Sequence, residues 1–161
     1  MNASSHRYIM YVRKSSEAED RQVASIQSQI DELNKIAKEM KLNVVEILTE
    51  EKSAKQPERP IFNQMIQKIK DGKADAILCW KLDRLARNPI DGGLIVWMLQ
   101  QNIIRQIQTY GRSYYPTDNM LMIQVEFGMA NQFILDLSVN TKRGQRSKLS
   151  SGWFPHKPPI G

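Results

Sequence analysis

The sequence predicts an α/β fold with a mostly parallel central sheet flanked by helices. Three observations lead there. Short apolar runs of strand length alternate with stretches whose apolar residues recur every three or four positions, and turn signals separate one from the next. The alternation stops at Thr117, after which helical spacing continues alone.

The elements follow in order. Residues 8–12 (Tyr-Ile-Met-Tyr-Val) are a short apolar strand, and Val23, Ile26, Ile30, Leu33, Ile36 and Met40 then mark one face of an amphipathic helix. "LNVVEILTE", 42–50, is strand-like. Pro60 suits the first turn of a second helix, whose stripe is Ile61, Phe62, Met65, Ile66 and Ile69 and whose end is Asp71-Gly72. A third strand spans 76–80, followed by the charged "KLDRLARN". Ile90, Leu94, Ile95, Met98 and Leu99 predict a third helix, and 103–109 a fourth strand. From Thr117, Leu121, Val125, Met129, Phe133 and Leu137 recur every four residues, and no proline occurs before Pro155. That stripe is longer than a small sheet can cover, which predicts packing against another copy of the chain or another domain. Residues 151–161, "SGWFPHKPPIG", read as a linker.

A chain of 161 residues with 41% hydrophobic content supports one cored unit plus an appendage rather than two domains. Cys79 is the single cysteine and lies in an apolar run, so no disulfide framework is available, which fits a cytoplasmic protein. His6 and His156 stand apart from other ligand types, and no metal or other cofactor is expected. No stretch nears the roughly 18 apolar residues of a membrane span, and "MNASSHR" is not followed by a signal-peptide core. The net charge of +6 is uneven: after Asp136 there is no acid, whereas Lys142, Arg143, Arg146 and Lys148 follow. Such asymmetry suits a polyanion, most simply double-stranded DNA, although a basic helix face can also be merely solvated.

In parallel α/β proteins the reactive groups gather at the carboxyl ends of the strands. The first strand delivers Arg13, Ser15 and Ser16; the second Glu50, Ser53 and, further on, Arg59; the third Asp83, Arg84 and Arg87. Four guanidiniums at one edge repel one another unless an anion receives them, and their planar forks of donors fit phosphate oxygens. Each residue also has a plainer reading. Ser15 and Ser16 precede a helix and could cap it. Asp83, Arg84 and Arg87 could form a surface ion-pair cluster. Arg59 could be an ordinary loop residue and Gln29 a polar helix position. Their joint placement at strand ends, not any one member, favours a phosphate site.

These segments resemble the serine recombinases, the resolvases, invertases and large serine integrases or transposases. "YVRKSS" is similar to the family's nucleophile motif, "SIQSQ" to the opening of its first helix, "EEKSAKQPERPIF" to its second segment, and "KLDRLARN" to its Asp-Arg-Leu-x-Arg string. The resemblance implies Ser15 as nucleophile with Arg13, Arg59, Asp83, Arg84 and Arg87 as catalytic partners, and Tyr11, Gln29, Glu50 and Ser53 in support. It further implies a resolvase-like three-layer catalytic domain over 1–116, a long oligomerisation helix over 117–150, and a linker over 151–161 toward a DNA-binding domain. Activity would be site-specific recombination through a 5′-phosphoserine linkage, without metal or ATP, by a homodimer that assembles to a tetramer. No small-molecule substrate and no membrane are implied. Where many members carry a Glu-Arg pair in the long helix, this chain reads "LSVNT", with Ser138, Val139 and Asn140, so roles given to that pair do not transfer.

The residues also constrain the chemistry by themselves. A serine hydroxyl is a weak nucleophile at neutral pH, and no histidine lies near these motifs to act as its base. Arginines around a phosphate would instead neutralise it and stabilise the transition state. Two other classes stay open: a non-catalytic DNA-binding regulator on the same scaffold, and an unrelated phosphatase, which would ordinarily show a glycine-rich phosphate loop or a carboxylate cluster.

Overall fold

A run of six buried residues, Tyr8 through Arg13, needs covering on both faces and on both edges, and the fold supplies all four. The computed structural model describes residues 6–13, 26–50, 59–86 and 88–153. β1 (Arg7–Arg13), β2 (Asn43–Glu50), β3 (Ala76–Cys79), β4 (Gln106–Thr109) and β5 (Ser113–Tyr114) form one sheet in the order β2-β1-β3-β4-β5. The first four strands are parallel, and β5 pairs with β4 antiparallel. The short β5, absent from the sequence reading, is a hairpin return held by Thr109 N donating to Arg112 O at 2.8 Å.

Because strand side chains alternate, each face of β1 has its own partners. On one face Tyr8, Met10 and Val12, with Ala76 and Leu78 of β3, pack under α1 (Ile26–Glu39) through Leu33 and Ala37. On the other, Ile9 and Tyr11 meet α2 (Pro60–Lys70), α3 (Leu82–Leu85), α4 (Pro89–Gln100) and the first turns of α5 (Met120–Ser150). Phe62, Met65, Ile66 and Ile69 supply the buried stripe of α2, as their spacing predicted. The helix stops at Asp71, and Gly72 takes φ +71°, a left-handed conformation that glycine adopts without a Cβ penalty.

Two helices bury residues that their spacing did not mark. In α4 the buried set is Asp91, Gly92, Ile95, Val96, Met98 and Leu99, while Ile90 is exposed. The helix lies between the sheet and α5, so it is covered on two sides and has no single apolar face. In α5, Ile123 and Phe127, outside the four-residue repeat, turn inward, while Leu121, Val125 and Met129, the start of the stripe expected to meet another copy or another domain, are exposed. The contact with α4 is close: a Cβ built on Gly92 would lie 3.3 Å from Phe127 Cγ.

Since α1 is the one described helix on its face, truncating its central apolar residue should open that layer. Leu33→Ala is expected to lower unfolding stability by about 2–5 kcal/mol, read by urea denaturation; a loss below about 1 kcal/mol would mean that α1 contributes little to the core.

Candidate active site

Parallel pairing brings the carboxyl ends of three strands to one edge. Arg13 lies beside Glu50 in the β1–β2 register, and Tyr11 beside Cys79 in the β1–β3 register. Arg13 is fully buried at 0% exposure, so its charge is held inside the protein rather than in solvent. Glu50 is also buried, and its Oε2 accepts from Ile61 N at 3.1 Å and Phe62 N at 3.3 Å. The first turn of α2 is thus capped by a strand residue from across the edge, while Arg59 at the cap position makes no such bond. A carboxylate there also faces the positive end of the helix.

That leaves Arg59 free to point inward, where it is 1% exposed. Its Nε and Nη2 donate to Asp91 Oδ2 at 3.2 and 2.7 Å, Nη1 donates to the Tyr11 hydroxyl at 3.2 Å, and Nη2 donates to Leu85 O at 2.6 Å. Its Cζ stands 4.0 Å from the centroid of the Phe62 ring, which meets Tyr11 edge-on at 6.2 Å. One guanidinium therefore ties β1, α2, α3 and α4 together. Burial pushes the Tyr11 phenol up; Arg59 and Arg13 pull it back, and Glu50 and Asp91 add to the rise. Tyr11 is thus a neutral hydroxyl within the electrostatic reach of all four charges.

α3 carries the next group. Arg84 is buried, which removes the solvated surface cluster as an explanation for it, and Asp83 is half-buried. Burial, with the Asp83 charge second, pushes the Cys79 thiol up, so this cysteine is a packed thiol and not a thiolate. Gln29 is buried in the first turn of α1, on the opposite face of the sheet from Arg59. Lys142, Arg143, Arg146 and Lys148 are exposed near the far end of α5, remote in the chain from the strand edge. Ser15, Ser16, Ser53 and Arg87 lie outside the described residues.

Sequence reasoning missed Asp91 and Asn88. Asn88 caps α4 by accepting from Asp91 N at 2.9 Å, and its Nδ2 donates to Asp91 Oδ2 at 2.8 Å. The Asn-x-x-Asp spacing before an apolar helix was a visible start signal. Nothing local in it shows that the same carboxylate reaches an arginine 32 residues upstream.

Buried Arg13, Arg59 and Arg84 thus stand at the carboxyl edge of the sheet with a neutral phenol and carboxylates among them. The sequence matches the family described as "Resolvase, N terminal domain" over residues 8–152, and the chain belongs to that family. It is similar to the N-terminal catalytic domain of TP901-1 integrase, with 26% identity and a TM-score of 0.57 over 81% of this chain and 98% of that one. It shares its fold with the C-terminal catalytic domain of ISC1926 TnpA, an IS607-like serine recombinase (18% identity, TM-score 0.55, 87% of this chain, 84% of that one). The same holds for a resolvase family site-specific recombinase from Streptococcus pneumoniae (22% identity, TM-score 0.55, 90% and 99% covered). No curated protein matches the sequence. The chain is a resolvase-type catalytic domain of the serine recombinase class. No helix among the described residues is long and apolar enough to cross a membrane.

The Glu50 cap gives a direct test. Glu50→Ala leaves two first-turn amides of α2 without their acceptor and should cost about 1–3 kcal/mol in chemical denaturation, whereas Glu39→Ala, at an exposed position, should cost under about 0.5 kcal/mol. Equal effects would mean that the cap contributes nothing.

Proposed function

We propose that this chain cuts and rejoins DNA in site-specific recombination, with Ser15 as nucleophile. The observation that carries the reading is the buried Arg13, two residues ahead of Ser15, at the same sheet edge as Arg59 and the buried Arg84 of α3. Together with the family membership, this supports a site that receives a DNA phosphodiester. The Ser15 Oγ attacks phosphorus, the bond from phosphorus to the 3′ oxygen breaks, and that oxygen leaves as a 3′-hydroxyl after taking up a proton. The product is a 5′-phosphoserine ester. Religation is the reverse attack by a 3′-hydroxyl on that ester. The ester keeps the bond energy, so in this reading the chemistry draws on neither ATP nor a metal.

Arg13, Arg84 and Arg87 neutralise the phosphate and the charge that builds in the transition state, and the nearby cations favour the serine alkoxide. Asp83 orients them or relays the proton, with Ser53 and Gln29 in support. Arg59, Tyr11 and Glu50 hold the frame from the protein side, as their hydrogen bonds indicate. Losing one phosphate-facing guanidinium should slow cleavage roughly 10²- to 10³-fold.

The outer face of α5 supports assembly. Leu121, Met122, Val125 and Met129 are exposed there, and Trp97 of α4 is exposed as well. A second copy of this chain is the partner proposed for that face, with two dimers forming the tetramer that exchanges strands. Lys142, Arg143, Arg146 and Lys148 would contact the DNA backbone, which fixes position without reading sequence.

The chain incubated with nicked DNA duplexes of randomised sequence and then denatured should carry covalently bound DNA. Ser15→Ala should carry none while keeping its fold, and Ser16→Ala should still form the adduct. A Ser15→Ala protein that still bonds DNA would overturn the assignment; a wild-type chain that binds DNA and never forms the bond would be a regulator on this scaffold.

A further inference from the structure

We propose that Asp91 is a positioning residue for DNA cleavage, acting through Arg59 on the arginine-bearing α3. The inference rests on the recombinase reading above and adds a residue to its machinery. Asp91 lies in the first turn of α4, where a carboxylate usually serves only the helix's own amides. Here Oδ2 accepts from three donors, Arg59 Nη2 at 2.7 Å, Asn88 Nδ2 at 2.8 Å and Arg59 Nε at 3.2 Å, with Asp91 5% exposed.

Nη2 of Arg59 is the shared atom. It donates both to Asp91 and, at 2.6 Å, to the carbonyl oxygen of Leu85. That carbonyl follows Arg84 directly and closes the four-residue helix α3, which is too short to hold its own position. Asp91 sets the guanidinium plane, the guanidinium fixes Leu85 O, and Leu85 O fixes where α3 ends and how Arg84 is presented. Without the carboxylate, Arg59 becomes a buried cation lacking its counter-charge, and it reorients toward water or other acceptors. A displacement of α3 by as little as about 1 Å can cost about 10²-fold in rate, because the phosphate-facing arginines must converge on one point. Asn88, which pins both Asp91 N and Asp91 Oδ2, completes the arrangement.

The test uses a nicked duplex recovered as an adduct from the randomised pool, with the rate at saturating DNA and the half-saturating DNA concentration measured separately. Asp91→Asn is expected to lower the saturated rate about 10²-fold with half-saturation unchanged, at a temperature where circular dichroism shows the variant folded. Arg59→Lys should behave alike, and the double variant should be no slower than the slower single one. Should Asp91→Asn fail to fold, Asp91→Glu carries the test: the charge stays, the carboxylate moves by one methylene, and the saturated rate should fall at least about tenfold. A wild-type saturated rate in the folded Asp91 variant, effects that multiply in the double variant, or a change confined to half-saturation would overturn the proposal. Absence of any adduct from the wild-type chain would overturn both this inference and the recombinase reading, whereas a normal wild-type adduct with an unaltered Asp91 variant would overturn the inference alone.

Discussion

A guanidinium that is 1% exposed imposes the main constraint on this fold. Removing Arg59 from water costs several kcal/mol unless its charge and donors are met (roughly, by the usual penalty for a buried ion). Asp91 meets the charge, and Tyr11, Leu85 O and the Phe62 ring surround the rest. These partners come from four elements, so satisfying one side chain aligns β1, α2, α3 and α4 at the carboxyl edge of the sheet. Hydrophobic burial holds the layers together without direction; this set of bonds adds the direction.

The consequences for the site follow from that alignment. Parallel strands end together, which places Arg13 next to Glu50 and sets α3 immediately beyond β3. Glu50 is then used as the cap of α2, which releases Arg59 from the surface. Glu50, Arg59 and Tyr11 are therefore each bonded to a neighbour on a different segment. Preorganisation of this kind lets cations stabilise developing charge without reorganising during the reaction.

Much of the fold was legible in the sequence because strand runs and helical spacing are local signals: β1, α1, β2, α2, β3, α4 and β4 fall where the apolar patterns put them. The inner face of α5 was not legible. A four-residue repeat selected Leu121, Val125 and Met129, yet Ile123 and Phe127 are the residues that meet α4. Period alone cannot choose between two apolar stripes when one covers the chain's own core and the other is left outside. In the site, Arg13, Arg59 and Arg84 were visible as motif members, and their burial was not. The partnership of Arg59 with Asp91 spans 32 residues and leaves no trace in local spacing. Glu50 could be read as a candidate acid, but its use as a cap depends on where α2 begins relative to β2.

Arg59 is fixed inside the protein by its partners. Nitrogen-15 NMR of its guanidinium reads that immobility. Restricted rotation about both Cζ–Nη bonds, with separately resolved Nη hydrogens that exchange slowly with water, is the predicted result. One averaged, rapidly exchanging signal like that of free arginine would contradict it.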